Sequence, residues 1–135
     1  MENPDAIEGF LIRSGLVYDA VETGLWIIHD EHENIDNIVI SVNDPIVLLR
    51  VKLMNAPEDD SQRAELFEKL LELNATDMVS GAYGLENNAV VITETLQTAH
   101  LDEREFEAAL DGLTLAVSQH YEILKSFLTN TNSAD

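Results

Sequence analysis

The stretch Leu73 to Leu96, LNATDMVSGAYGLENNAVVITETL, constrains the fold more than any other part of the chain. It reads as a helix end, a strand, a tight turn at Asn87-Asn88 and a second strand. Val79, Gly81, Tyr83 and Leu85 share one face of the first strand, and Ser80, Ala82 and Gly84 the other. Asparagine tolerates positive φ, so Asn87-Asn88 suits a two-residue primed turn. That register pairs Leu85 with Val90, Tyr83 with Ile92 and Val79 with Leu96, which gathers the apolar side chains on one side. The opposite side carries Ala82, Gly84, Val91, Thr93 and Thr95, a smooth surface of small residues. A slip by one residue would mix the two faces, so the pattern fixes the register. The helices before and after this hairpin then have a surface to cover.

Upstream, Asn3 is a good N-cap and Pro4 fits the first helical position. Ile7, Phe10 and Leu11 form an apolar stripe, and Gly15 stands where a left-handed C-cap is expected. This predicts a short amphipathic helix over about Pro4 to Ser14. Three or four strands follow: Val17 to Val21, Leu25 to Ile28, Asn37 to Val42 and Ile46 to Leu53. The charged segment Asp30 to Asp36 and the turn Asn43-Asp44-Pro45 separate them. Short polar turns between successive strands imply an antiparallel meander.

The second helix is expected after Pro57, capped by Asp60 or Ser61. Ala64, Phe67, Leu70 and Leu71 are expected on its inner face, Glu65, Glu68, Lys69 and Glu72 away from it, and Asn74 as its left-handed stop. The last helix opens with Asp102 and Glu105, an acidic capping box, flanked by Leu101 and Phe106 at the staple positions. Phe106, Leu110, Leu113, Val117, Tyr121, Leu124 and Leu128 recur at spacings of three and four. Leu115, Ala116, Ile123 and Phe127 widen that stripe. The expected organisation is one domain over residues 1–128 and a polar C-terminal tail, 129–135.

Composition limits the function classes. Seven Lys and Arg against 26 Asp and Glu give a net charge of −19. Such a chain repels phosphate backbones and anionic lipid, which argues against nucleic acid and membrane partners and favours basic surfaces. There is no cysteine, hence neither a disulfide framework nor a thiol nucleophile. The first residues, MENPDAIEGF, lack the basic and apolar parts of a signal peptide, and no apolar run approaches a membrane span. The cytoplasm is the expected location.

Catalytic signals are sparse. His29-Asp30-Glu31-His32-Glu33 is the one cluster resembling a metal site, but it falls in an expected hairpin loop without helical i, i+4 geometry. A solvated acidic turn is the better reading, and no metal ligand is assigned. Gly81-Ala82-Tyr83-Gly84 is too short for a phosphate loop and reads as glycines at a close backbone approach. His100 and His120 have no acid or nucleophile at motif spacing, and His120 is expected at the helix surface or its edge. Trp26 reads as a core aromatic. Neither catalytic nor cofactor-binding residues are assigned.

The residues Leu73-Asn74, Gly81-Ala82-Tyr83-Gly84-Leu85-Glu86 and Val90-Val91-Ile92 carry a family resemblance. The chain resembles the YbjN-domain family, in which a helix end precedes a G-x-(F/Y)-G-L-(D/E) strand and its hairpin partner. That family is similar in fold to the class I type III secretion chaperones, the CesT or Tir-chaperone group. The resemblance implies an α+β fold in the order α-β-β-β(-β)-α-β-β-α, with an antiparallel sheet packed against helices and no catalytic residues to transfer. The functional expectation is a non-enzymatic, chaperone-like or adaptor module that binds another protein chain as a homodimer. Its partner-binding residues are expected among Ala82, Gly84, Val91, Leu115, Ile123 and Phe127. The alternative is a ligand-sensing or regulatory domain with a pocket between sheet and helix.

Overall fold

The computed structural model describes residues 4–30, 35–78 and 81–133. Among them the elements run α1 (Pro4–Ser14), β1 (Val17–Glu22), β2 (Leu25–Asp30), β3 (Ile35–Asn43), β4 (Ile46–Asn55), α2 (Asp60–Thr76), β5 (Ala82–Glu86), β6 (Ala89–Gln97) and α3 (Glu103–Ser133). The class is α+β, and the meander has four strands. All six strands pair antiparallel in one sheet, in the order β1-β2-β3-β4-β6-β5.

The hairpin forms in the register that its alternation dictates. Asn87 and Asn88 take φ of 49° and 64°, both left-handed, and Leu85 pairs with Val90 and Tyr83 with Ile92. Val79 and Ser80 lie outside the described residues, and with them the expected Val79–Leu96 pair. Gly81 is required by its surroundings. Its φ is 79°, and a Cβ there would stand 2.6 Å from the Thr93 carbonyl oxygen. Gly84 is under no such pressure, since its Cβ would meet only a Val91 methyl at 3.8 Å.

Directly paired residues share a face, so register reveals how the sheet is layered. Tyr18, Ile28, Ile38, Val51, Ile92 and Tyr83 form one continuous row across all six strands. Ile28, Ile38, Val51, Ile92 and Tyr83 are buried, and Tyr18 is partly buried against the core. The neighbouring row on the other face is Asp19, Ile27, Val39, Arg50, Thr93 and Ala82, and none of these is buried. The helices therefore cover one face. Their buried residues, among them Ile7, Leu11, Leu66, Phe106 and Leu113, join Trp26, Ile40 and Leu49 in one core cluster. Each fully buried side chain of this size contributes roughly 1.5–3 kcal/mol, and Phe106, with Phe10 across from it at 5.6 Å between ring centroids, ties α3 to α1.

Helix ends follow local chemistry. Gly15 follows α1 with φ of 73°. Asp102 accepts from the Glu105 amide at 2.8 Å, as the capping box requires. The cap of α2 is Asp59, one residue before the expected Asp60, and it accepts from the Gln62 amide at 3.0 Å. Two further expectations for α2 need correction. Its buried residues are Leu66, Leu70 and Leu73, while Ala64 is exposed and Leu71 is 69% exposed. The i, i+4, i+7 row of leucines buries more area than a row built on Ala64, so it sets the rotation of the helix. Asn74 does not stop α2, which runs to Thr76.

In α3 the core row is Phe106, Ala109, Leu110, Leu113, Ala116, His120 and Leu124. Tyr121, expected inside, is 53% exposed beneath the Lys125 ammonium. The helix also continues past Leu128, through the 129–133 stretch expected as a polar tail.

Candidate functional site

The two edges of the sheet differ. On β5, the Asn74 side chain reaches across from α2 and holds the backbone of Tyr83 at both groups. Its Oδ1 accepts from the Tyr83 amide at 2.8 Å, and its Nδ2 donates to the Tyr83 carbonyl at 3.3 Å. A carboxamide so placed presents the same donor and acceptor as a neighbouring strand, so this edge is blocked at Tyr83. At the other edge, β1 has only Tyr18 partly buried, and Val17 and Val21 are 68% and 53% exposed. No other strand among the described residues pairs with its outer side.

The residues expected to bind partners separate into three places. Ala82 and Gly84 are exposed on the open face of the sheet, with Val91 buried next to Gly84 and opposite Lys52. Arg50 crosses the same face to Glu86, donating from Nη1 at 2.7 and 2.9 Å. Ile123 and Phe127 form the floor of a groove of about 350 Å³ between α3 and α2, whose wall is Glu65, Glu68, Lys69 and Glu72. Leu115 stands apart from both on the outer side of α3, 57% exposed. The structure thus brings Ile123 together with Phe127, and Ala82 with Gly84 and Val91, and leaves Leu115 alone.

A second cavity, of about 280 Å³, lies between the ends of α1, β2 and β3 and the N-terminal third of α3. Its floor is apolar: Leu16, Ile28, Ile38 and Leu110. Nothing in the local sequence signals it, because its walls come from four separate segments.

His120 is buried, 2% exposed, which corrects the surface position expected for it. Asp77 can only accept, so His120 Nε2 donates to it, at 3.1 Å, and Nδ1 accepts from the Tyr83 hydroxyl at 2.6 Å. This chain of bonds joins the end of α2, β5 and α3. The Asp77 carboxyl is held below the usual carboxylate range by the Thr76 hydroxyl and then by His120. Burial, with the Asp77 charge behind it, pushes the Tyr83 phenol up to about 12. Both His120 nitrogens and the Tyr83 hydroxyl are satisfied, and the arrangement fastens elements rather than exposing a reactive group. The spacing of Ala116, His120 and Leu124, four residues apart, is the sequence signal that places His120 inside.

Of the His29 to Glu33 cluster, Glu31, His32 and Glu33 lie outside the described residues, and His29 Nε2 stands 3.0 Å from Asp19 Oδ2 on β1. Among the described residues no group of three or more His, Cys, Asp or Glu is placed to hold a metal ion. No helix among them is long and apolar enough to cross a membrane.

The family model CesT_Tir_1 matches residues 2–130. The chain belongs to the CesT_Tir_1 family. No curated protein sequence matches it. Among solved structures, this CesT_Tir_1 protein is similar to YbjN of E. coli, a candidate transcription regulator, with a TM-score of 0.67 and 12% identity over 89% of this chain and 92% of that one. It is also similar to a chain of the heterodimeric ExoU–SpcU complex from the type III secretion system of Pseudomonas aeruginosa. There the TM-score is 0.66 and the identity 15%, over 84% of this chain and 93% of that chain. A third similar structure is the type III secretion chaperone SycH of Yersinia pestis with a stable fragment of YscM2. Its TM-score is 0.61 at 13% identity, covering 86% of this chain and 97% of that chain. At these identities the likeness is one of fold. It places this CesT_Tir_1 chain, as the hairpin motif implies, among both the YbjN and the secretion-chaperone structures.

Proposed function

We propose that this chain is a non-enzymatic, chaperone-like or adaptor module of the cytoplasm that binds a segment of another protein. The observation that carries the reading is the asymmetry of the sheet: Asn74 blocks the β5 edge at Tyr83, while β1 offers an open edge with two exposed valines. An extended client segment adds there as a seventh strand, with main-chain bonds for affinity and Val17 and Val21 for side-chain contact. The net charge of −19 draws a basic client, chiefly by accelerating encounter. Membership of CesT_Tir_1, and relatives of known structure that are complexes of two proteins, support this reading.

The groove between α2 and α3 is the second contact surface, with Ile123 and Phe127 as apolar anchors and Leu115 as an outlying one. A homodimer forms through the small-residue face at Ala82 and Gly84, above the buried Val91, or through the outer side of α2, where Leu71 is exposed. A ligand-sensing or regulatory role is the second reading, and the cavity beneath α3 favours it.

The test begins with capture of partners from the native host by the unmodified chain and by Val17→Lys/Val21→Lys, identified by mass spectrometry. A partner held by the first and lost by the second is then added to the purified chain, and amide exchange is followed. Slower exchange along β1 supports strand addition. Unchanged exchange at β1, with protection elsewhere, overturns it.

A further inference from the structure

A sheet with one wet face alternates apolar and polar residues, whereas a strand buried on both faces reads as a continuous apolar run. β2 and β4 read the second way, as Leu25-Trp26-Ile27-Ile28 and Ile46-Val47-Leu48-Leu49. Trp26, Ile28, Val47 and Leu49 belong to the core beneath the helices. Leu25, Ile27 and Leu48, with Val39 of β3, stand on the opposite face and outside that core. Each of the four keeps part of its surface exposed, and Ile46 beside them is 37% exposed.

Charge is ordered across the same face. β1 presents Asp19, paired with Ile27, and Glu22, paired with Leu25. β4 presents Arg50, paired with Val39, and Lys52 two residues along. Acid therefore lies on one side of the aliphatic patch and base on the other. Both kinds of charge are accessible. The Asp19 side chain is 74% exposed although His29 Nε2 stands 3.0 Å from it, and Glu86 holds only Nη1 of the Arg50 fork.

We infer that two copies of this chain pack sheet against sheet over this patch. A two-fold axis between the sheets, along the strands and over the gap between β2 and β3, sets β1 of one copy over β4 of the other and β2 over β3. Rotation about that axis keeps every residue at its level along the strands. The paired row Asp19, Ile27, Val39, Arg50 then falls on itself in reverse. Asp19 meets Arg50 and Ile27 meets Val39, each contact made twice. Packed sheets lie about 10 Å apart, a gap that these side chains span. Two of the seven basic residues of a chain with net charge −19 stand here, so a basic client is poorly matched to this patch, while a second copy brings acid to base. The contact rests on the homodimer reading and sets it at the β1–β4 end of the face whose far end carries Ala82 and Gly84. The main-chain groups on the outer side of β1 stay free for a client strand.

The experiment measures self-association of the full chain by sedimentation velocity up to high micromolar concentration, where the unmodified chain is expected to dimerise. Asp19→Arg opposes two cations at both symmetric contacts, and Arg50→Asp opposes two carboxylates. Each alone is expected to weaken dimerisation about tenfold or more. Mixed in equal amounts, the two variants pair the new cation with the new carboxylate at one contact and keep the native pair at the other, so the dimer is expected to return. Failure to return, in variants with native circular dichroism, would overturn the contact. A monomer at every concentration would overturn it together with the homodimer reading. A dimer unmoved by both variants and by Val39→Lys, but lost in Leu71→Lys, would overturn the contact and leave that reading standing. In a dimer of labelled and unlabelled unmodified chains, nuclear Overhauser effects are expected between Ile27 methyls of one copy and Val39 methyls of the other. Their absence would overturn the contact whether or not any variant folds.

Discussion

Replacing Asn74 by alanine removes a bridge that fastens an edge strand to a helix. The Asn74 carboxamide serves the Tyr83 amide at 2.8 Å and the Tyr83 carbonyl at 3.3 Å, beside a side chain only 7% exposed. A hydrogen bond of this sort is worth about 0.5–1.5 kcal/mol net, and a buried donor left unpaired costs about 1–3 kcal/mol. Alanine returns up to about 0.7 kcal/mol through helix propensity. The expected loss is therefore about 2 kcal/mol. For a chain of this length that corresponds to a fall in melting temperature of roughly 6–10 °C. Urea denaturation measures the free energy, and amide exchange reads the site directly, since the Tyr83 amide should lose protection through local opening while β3 should lose only what the global destabilisation dictates. The variant should also self-associate more readily, because the β5 edge now offers free strand groups. A loss below about 0.5 kcal/mol, the range of an ordinary surface substitution, with unchanged exchange at Tyr83, would refute the role given to Asn74.

Tyr83 holds its proton up to about 12, against roughly 10 in an unfolded chain. Its contribution is complete below about pH 10 and is lost as pH rises through 12, so Tyr83→Phe should flatten the alkaline fall in stability measured by urea titration. Asp77 has the opposite sign: its lowered pKa stabilises the fold above about pH 4 and is lost as pH falls through the folded value. Asp77→Asn should accordingly make the acid unfolding curve shallower. Leu115→Asp should stay folded, within about 0.5 kcal/mol, because Leu115 is 57% exposed. Phe127→Asp, placed against the core, should cost about 1–3 kcal/mol by the same denaturation assay.

Features set by residues near one another in sequence were legible before the fold was known. The alternation around Tyr83 and the Asn87-Asn88 turn fixed the hairpin register, and Gly15 and the Asp102–Glu105 pair marked helix ends. The errors arose where a distant partner decides the outcome. Asn74 reads as a helix stop by its own propensity, but its side chain is claimed by Tyr83 nine residues on. His120 reads as polar surface until Tyr83 and Asp77 satisfy both its nitrogens and allow it inside. In α2, a tally of apolar residues favoured Leu71, whereas packing selected Leu66, Leu70 and Leu73. The candidate partner residues followed the same division. Ile123 and Phe127, one turn apart on α3, lie in one groove, while the separation of Leu115 from them depends on where α2 lies.

Strand order also has a consequence for synthesis. The central strand β4 pairs on one side with β3, its immediate predecessor, and on the other with β6, from Ile46–Gln97 to Asn55–Ala89. A ribosome that has finished β4 must add roughly forty more residues before its second partner is complete, which at about 5–20 residues per second takes several seconds. During that interval Val47, Leu49 and Val51, each at most 2% exposed in the finished fold, lie on a strand with one unpaired side. A nascent chain of this topology is thus itself in need of shelter: its own sheet centre passes through a period open to misplaced pairing before the hairpin arrives to close it.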